Sequence, residues 1–565
     1  MSGARTNGSI GTKSMTLVVI LAAIASRIYL YTSAPSLWDD EIFLSLGVIV
    51  QPLGTLVRKL DFQQFAPLGF VGLQRIAVDI AGVGERSLRL VPFLAGCLTV
   101  IATWDASRRL LNARAAVLTA ALIGFGPFAL RYSNEAKQYG FDVFVSAALL
   151  WIVSLSAAPP ARLLPATGMI GAGVIAIFAS TPSIFVLGGI WAFYASSAIG
   201  REKSKKPYVF LAASGLSWVG VFAAVYEILL LRNVDDYLYR YWAPLQLSGQ
   251  SSALGVLNLV AHGFLDPFLS LDSRIPTLLY VFACIHLLAG GYAIARVRSP
   301  RFAVLLTVPL VLTVGAAVID KWYLSARLMM FTVPLCALLV TASVCWMAAL
   351  VSSQWSRPLF IGTALLLVAF PLKGTAYYLR HPQIQNLRSA VEFCRERFRP
   401  GDTIYVFARS MPGWIFYSMD WSRPDLVRYR WLKTASEATG PNAGNIPPRG
   451  HRVVSEGQEL RRPYGAGGIE LVGIGEGVFR TIGSSPDAPA DPGWADNEVR
   501  RVLETHGRRV VILASITHER NLSALVDCLT SAGARTVAGF QKEAGRAAIM
   551  DLPEWGTAFT GCDRE

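Results

Sequence analysis

Three clusters of ionisable residues interrupt an otherwise apolar chain, each beside a long hydrophobic stretch. The first is SLWDDEIFLSL (36–46), in which Asp39, Asp40 and Glu41 stand between Trp38 and an apolar run. A carboxylate flanked by Trp and Ile is expected to be partly desolvated, which raises its pKa and suits it to take a proton. The structural alternative is that Asp39 or Asp40 caps an interface helix starting near Ile42, but three acids are more than a cap needs. The second cluster is RYSNEAKQYGF (131–141), where Arg131, Glu135, Lys137 and Tyr139 share one short loop. Interfacial anchoring by snorkelling cations and Tyr would explain all of these except Glu135. The third is DKWYLSARLMM (320–330), with Lys321 and Arg327 on either side of Trp322 and Tyr323. Arginine suits bidentate phosphate recognition, although an ion pair with Asp320 or Asp40 would also account for it. Charged groups at membrane depth are costly, so such clusters are functional candidates by default. Together they suit a substrate with an anionic head and a lipid tail, such as a polyprenyl-phosphate sugar. The cations would hold the phosphate leaving group, and a carboxylate would deprotonate an acceptor hydroxyl, so that attack inverts the anomeric carbon.

The elements that must position these clusters are membrane helices. The chain has 565 residues, 53% hydrophobic and only 16% charged, against about 25% charged in an ordinary soluble protein. Segments long enough to cross a bilayer, roughly 17–25 residues, recur at about 15–33, 90–110, 114–131, 138–156, 163–180, 183–199, 207–231, 275–296, 301–318, 328–350 and 357–376. The first follows Lys13 and reads as a retained signal anchor rather than a cleaved peptide. Eleven spans with the N-terminus inside place Arg108, Arg109, Arg114, Arg162, Arg201, Lys203, Lys205, Lys206, Arg296, Arg298, Arg301 and Arg357 in inner loops. The acids, among them Asp39, Asp40, Glu41, Glu85, Glu135, Asp235, Asp236 and Asp320, then fall outside. This topology predicts a multi-pass membrane protein with its C-terminal portion outside, in a periplasm or its equivalent. Two outer loops are long. Residues 34–89 suit amphipathic interface helices, and 232–274 are rich in Tyr, Trp and Asp; both loops suit either a simple loop cap or, functionally, a lid or acceptor surface.

After residue 378 the composition becomes that of a soluble domain. GDTIYVFA (401–408) and RRVVILAS (508–515) read as buried strands, SALVDCLTSAG (523–533) as a helix, and RAAIMDLP (546–553) as one of a strand pair. This rhythm predicts a small α/β domain over 379–565 beside a helical membrane domain over 1–378. Residues 436–500, rich in Gly and Pro, read as loop. The net charge of +14 comes without a basic stripe or nucleic-acid motif, which favours anionic lipid over nucleic acid as partner. A disulfide among Cys394, Cys528 and Cys562 is not deducible from spacing. His518, Glu519 and Asn521 read as surface residues near a helix start, and six scattered His form no metal cluster.

The three clusters resemble, in order, motifs of the GT-C glycosyltransferases, specifically the bacterial family 39-like, aminoarabinose-transferase-like membrane proteins. LWDDEIF resembles the family's first-loop acidic pair, aligned with Asp40 and Glu41; APLGFVGLQRIAVDIAGVGERSLRLVPFLAG (66–96) resembles the stretch that ends at Arg89 and Pro92. RYSNEAKQYGF and ARLMMFTVPL resemble the second-loop and third-loop blocks, and LRSAVEFCRERFRPGDTIYV resembles the junction into an outer domain. The likeness covers about residues 15–410 and implies a GT-C fold that transfers a sugar from a polyprenyl phosphate on the outer face. Lys137 stands where the family has Arg, Leu328 where it has Tyr, and the acidic pair is a triplet here. The expected roles are Asp40 as base, with Asp39 its rival, and Glu41 and Glu135 positioning hydroxyls. Lys137, Lys321 and Arg327 bind phosphate, Tyr139 joins the substrate-binding set, and Arg89 makes a structural or phosphate contact. No cofactor is expected to be required, although Asp39, Asp40 and Glu135 could hold the divalent cation that some relatives of this fold use. The acceptor is an envelope glycan, glycolipid or protein. A transporter of lipid-linked intermediates would show inverted repeats, which the sequence lacks; a non-catalytic envelope scaffold would tolerate loss of the acids.

Overall fold

A computed structural model describes residues 10–57, 60, 64–156, 163–198, 205–230, 242–269, 277–399, 402–407, 410–418, 421, 470–472, 480–483, 494–503, 509–515, 519–542 and 545–553. Within these, every expected span is helical, because in hydrocarbon only a helix satisfies each backbone group within one segment. The helices are α1 (Ile10–Ser33), α2 (Asp39–Val50), α3 (Leu68–Ala81), α4 (Glu85–Leu110), α5 (Ala113–Gly124), α6 (Pro127–Tyr132), α7 (Tyr139–Leu155), α8 (Leu163–Ala179), α9 (Ser183–Ala198) and α10 (Lys206–Val225). They continue as α11 (Ala253–Leu269), α12 (Thr277–Val297), α13 (Pro300–Val318), α14 (Val333–Leu350) and α15 (Ser353–Arg380).

Among the described residues, seven helical segments are long and apolar enough to cross a membrane, so this is a multi-pass membrane protein. They correspond to α1, α4, α10, α12, α13, α14 and α15, while α5, α7, α8 and α9 are apolar but shorter. The expected span 114–131 is broken into α5 and α6. Pro127 opens α6, where its missing N–H is harmless but where it could not continue α5. The segment 232–274 contains a helix, α11, that a loop reading misses; Asp235 and Asp236 lie outside the described residues.

The segment 34–89, expected to hold two amphipathic helices, forms α2 and α3. Apolar residues of α2 fall on two faces at helical spacing. Leu44 and Val48 join the membrane core with Phe70, Phe141 and Phe331. Ile42, Leu46 and Ile49 join a second core with Leu387, Val391, Ile404, Trp414 and Ile415. The chain after α15 therefore packs directly on the helix that carries the acids.

That later portion holds α16 (Leu387–Arg397), α17 (Met411–Ser418), α18 (Trp494–Leu503) and α19 (Glu519–Ser531) around a six-stranded sheet. Its strands are β1 (Thr403–Val406), β2 (Glu470–Val472), β3 (Arg480–Gly483), β4 (Arg509–Ser515), β5 (Arg535–Lys542) and β6 (Gly545–Asp551), in the order β2-β3-β1-β4-β6-β5. β1 runs parallel to both β3 and β4, whereas β2 and the β5–β6 hairpin are antiparallel. Buried β1 reads as a continuous apolar run, as a central parallel strand should. The Gly- and Pro-rich stretch 436–500 supplies β2, β3 and the start of α18, contrary to the loop expectation; the rest of it, His518 and Cys562 lie outside the described residues. Cys394 is a buried free thiol and Cys528 is disulfide-bonded.

Candidate active site

The acidic helix starts one turn earlier than the sequence suggests. Asp39, Asp40 and Glu41 are the first three residues of α2, not caps before Ile42, and Trp38 at the cap position offers no side-chain acceptor. Carboxylates in a first turn face the positive end of the helix dipole, which favours their ionised form.

Their three side chains diverge. Glu41 is fully buried and accepts from the Arg89 guanidinium (Nε to Oε1, 2.7 Å). It also accepts from the backbone N–H of Ala136 at 2.7 Å and of Trp38 at 3.4 Å. Arg89, in the first turn of α4, donates further to the carbonyls of Pro35 and Ser36. Glu41 and Arg89 thus join α2, α4 and the 133–138 loop, and neither reaches the cavity. The pair gives Arg89 the structural one of its two expected contacts, and it engages Glu41 where a substrate hydroxyl is expected.

Asp39 turns towards the chain after α15. Its backbone N–H donates to Gln385 Oε1 at 3.0 Å, and its Oδ2 accepts from Gln385 Nε2 at 3.2 Å.

Asp40 keeps a side chain 21% exposed and is held between two cations. Lys137 Nζ lies 3.0 Å from Oδ1, and Arg327 Nη1 lies 3.2 Å from Oδ2. Burial pushes its pKa up, but Lys137 and Arg327 outweigh burial and hold it below the usual carboxylate range. The expectation of a raised pKa is therefore wrong for Asp40, because desolvation of a carboxylate is reversed when two cations share the desolvated site. Burial in turn lowers the pKa of Lys137, opposed by Asp40; Lys137 also donates to Gln64 Oε1 at 2.6 Å.

Glu135 is buried beside Arg131, which donates to its Oε1. Oε2 has no hydrogen-bond partner. Burial, reinforced by the Glu41 and Asp40 carboxylates, raises its pKa against the pull of Arg131. Tyr139, the first residue of α7, is buried under Arg327, whose guanidinium lies 6.0 Å from the ring. Lys321 is exposed and does not line the cavity, so it does not join the other cations.

Beside this cluster lies a cavity of about 440 Å³ lined by Trp38, Phe128, Arg131, Tyr132, Trp242, Pro244, Leu245, Ser325, Ala326 and Arg327. Two guanidiniums project into an aromatic wall. Arg327 stacks 4.6 Å from the Trp242 ring, and Arg131 lies 5.5 Å from that of Trp38. Such a wall suits a ligand with a charged head and an apolar tail. Sequence reasoning counts Arg131 in the second cluster without giving it a role, and leaves Trp242 out of the site. Arg131 stands four residues before Glu135 on a short helix, the spacing of an ion pair. Trp242 is visible in the sequence only as one of several aromatics in an outer loop.

The loop is pressed into place by two glycines. A Cβ on Gly140 would fall 2.2 Å from the Tyr132 carbonyl oxygen, and one on Gly96 2.2 Å from Ser133 Cβ. No group of three or more His, Cys, Asp and Glu that could hold a metal occurs among the described residues.

This architecture is the GT-C glycosyltransferase fold. It is similar to ArnT from Cupriavidus metallidurans in the apo state (TM-score 0.52, 12% identity, 95% of this chain and 98% of that one). The likeness to the same ArnT bound to undecaprenyl phosphate has a TM-score of 0.54 at 12% identity, over 96% of this chain and 98% of that one. Residues 66–226 match the family described as dolichyl-phosphate-mannose-protein mannosyltransferase. No curated protein matches the chain in sequence.

Proposed function

We propose that the chain is an inverting glycosyltransferase that moves a sugar from a polyprenyl-phosphate carrier to an acceptor hydroxyl at the outer face of a bacterial cytoplasmic membrane. The observation that carries this reading is Asp40, a carboxylate clamped by Lys137 and Arg327 at the edge of an aromatic cavity with two guanidiniums. The similar ArnT has been captured with undecaprenyl phosphate, which supports a lipid phosphate as the carrier here.

In this reading the donor phosphate competes with Asp40 for Lys137 and Arg327. Once those cations turn to phosphate, Asp40 loses the charges that hold its pKa down, and burial makes it a stronger base where the acceptor must be deprotonated. The acceptor oxygen attacks the anomeric carbon, its proton passes to Asp40, and the bond from that carbon to the phosphate oxygen breaks. Polyprenyl phosphate leaves, its charge met by Lys137, Arg327 and Arg131. Glu135 keeps Arg131 oriented, and its unpartnered Oε2 is available to a sugar or acceptor hydroxyl. Asp39, engaged by Gln385, orients the helix rather than taking the proton.

A divalent cation beside Asp40 fits poorly, because both carboxylate oxygens already face cations. The reading is therefore metal-independent. The division into a catalytic membrane domain over 1–378 and an extracytoplasmic α/β domain over 379–565 belongs to the same proposal, supported by the disulfide at Cys528, which suits an oxidising compartment.

The test is mass spectrometry of envelope glycans and polyprenyl-phosphate sugars with and without the gene, and with Asp40→Asn. Accumulation of one lipid-linked sugar with loss of one decoration is expected in both mutants. A well-folded Asp40→Asn protein with full transfer activity would remove Asp40 as base.

A further inference from the structure

The first N–H groups of a helix have no partner within it and are ordinarily met by a capping side chain. α2 begins without one, since Trp38 offers no acceptor. The acceptor comes instead from 346 residues further along the chain: Gln385 Oε1 takes the Asp39 N–H, while Gln385 Nε2 donates to the Asp39 carboxylate. Neighbouring residues bind the approach to the helix in the same way. Gln383 Oε1 accepts from the Ser36 N–H at 3.0 Å, and Tyr417 OH accepts from the Leu37 N–H at 2.7 Å. Arg388 donates to the carbonyl of Ala34 at 2.7 Å and pairs with Glu85 at the start of α4. Ala34 needs such support, because its φ of 42° lies in the left-handed region, which is costly for a residue other than glycine.

We propose that Gln385 is a positioning residue for the reaction: by capping α2 from just beyond α15 it fixes the rotation of the helix and so sets Asp40 between Lys137 and Arg327. The inference rests on the function proposed above, but its structural half does not. Gln385 makes a two-way contact that a generic packing residue would not need, and Asp40 is the next residue along. Changing Gln385 removes this contact from the start of the helix and leaves the residues lining the cavity in place.

The test uses the full-length protein in detergent or nanodiscs. Gln385→Glu keeps an acceptor for the Asp39 N–H but sets a second carboxylate against that of Asp39. Expected are faster hydrogen exchange in peptides covering residues 38–44 and a fall in kcat of about 10²-fold, with KM for the lipid donor little changed. Adding Asp39→Asn to the Gln385→Glu protein restores a donor opposite the introduced carboxylate and is expected to restore slow exchange. A Gln385→Glu protein with unchanged kcat, or one that loses activity without faster exchange at the start of α2, overturns the proposal. If the unmodified protein transfers no sugar, the functional reading fails, while the exchange data still decide whether Gln385 holds the helix.

Discussion

At the scale of single residues, the site depends on charges that are satisfied in pairs before substrate arrives. Asp40→Asn leaves Lys137 and Arg327 without their carboxylate, and transfer is expected to drop by about 10²–10⁴-fold, measured as product formed per folded protein. The pH dependence has a definite sign. With its pKa below the ordinary value of 3.8, Asp40 stays ionised through mild acid, and the stability from its ion pairs is lost only as pH falls through that depressed value. The acid limb of kcat/KM, which reports the free enzyme, should therefore lie below that of kcat, because bound phosphate draws Lys137 and Arg327 away. Coincident limbs would contradict the competition between phosphate and Asp40. The Glu41–Arg89 pair gives a separate prediction. Arg89→Ala strands a fully buried carboxylate and should cost about 3–5 kcal/mol in thermal unfolding, while replacing both residues with Leu should cost less than either single change. The acids of SLWDDEIFLSL are legible in the sequence, but their division of labour is not. Composition shows three carboxylates beside a Trp, whereas the partners that separate their roles (Gln385, Lys137 with Arg327, and Arg89) come from distant parts of the chain.

At the scale of elements, close helix approaches hold the second block in place. Gly140→Ala would drive a methyl group into the Tyr132 carbonyl, and about 1–3 kcal/mol of overpacking is expected, seen as a lower melting temperature and loss of transfer. Gly72→Ala, whose added carbon would meet nothing nearer than Leu53 Cδ1 at 3.9 Å, should be close to neutral and serves as the control. Hydropathy locates every described membrane helix, because a run of apolar residues has one stable outcome in lipid. It misses α11, where polar and apolar residues mix within an outer segment, and it misses the break at Pro127, which matters because α6 then aims Arg131 into the cavity. β1, β4 and β6 are readable from buried apolar runs, whereas β5 is mostly exposed and is expected only as the partner of β6, and β2 and β3 carry too few apolar residues to stand out from the surrounding Gly and Pro.

At the scale of the whole molecule, orientation in the membrane is the statement to test. A cysteine placed at exposed Lys321 should react with an impermeant reagent added outside intact cells, and one placed at Arg108 should not. Cys528, disulfide-bonded and buried beside Leu525 and Leu529, should react only after both reduction and unfolding, whereas Cys394, buried among Leu387, Val391 and Ile415, should need unfolding alone.

The contact between α2 and the chain after α15 also bears on how the protein is made. The acids leave the ribosome early, but the Asp39 N–H waits for an acceptor synthesised 346 residues later. The surface that covers Ile42, Leu46 and Ile49 arrives later still. Until then one face of the acidic helix has nothing to pack on and no cap at its start. Where Gln385 positions Asp40 as proposed, the site becomes competent only after the residues following α15 have been made, and a chain terminated before Gln385 is expected to occupy the membrane without transferring sugar.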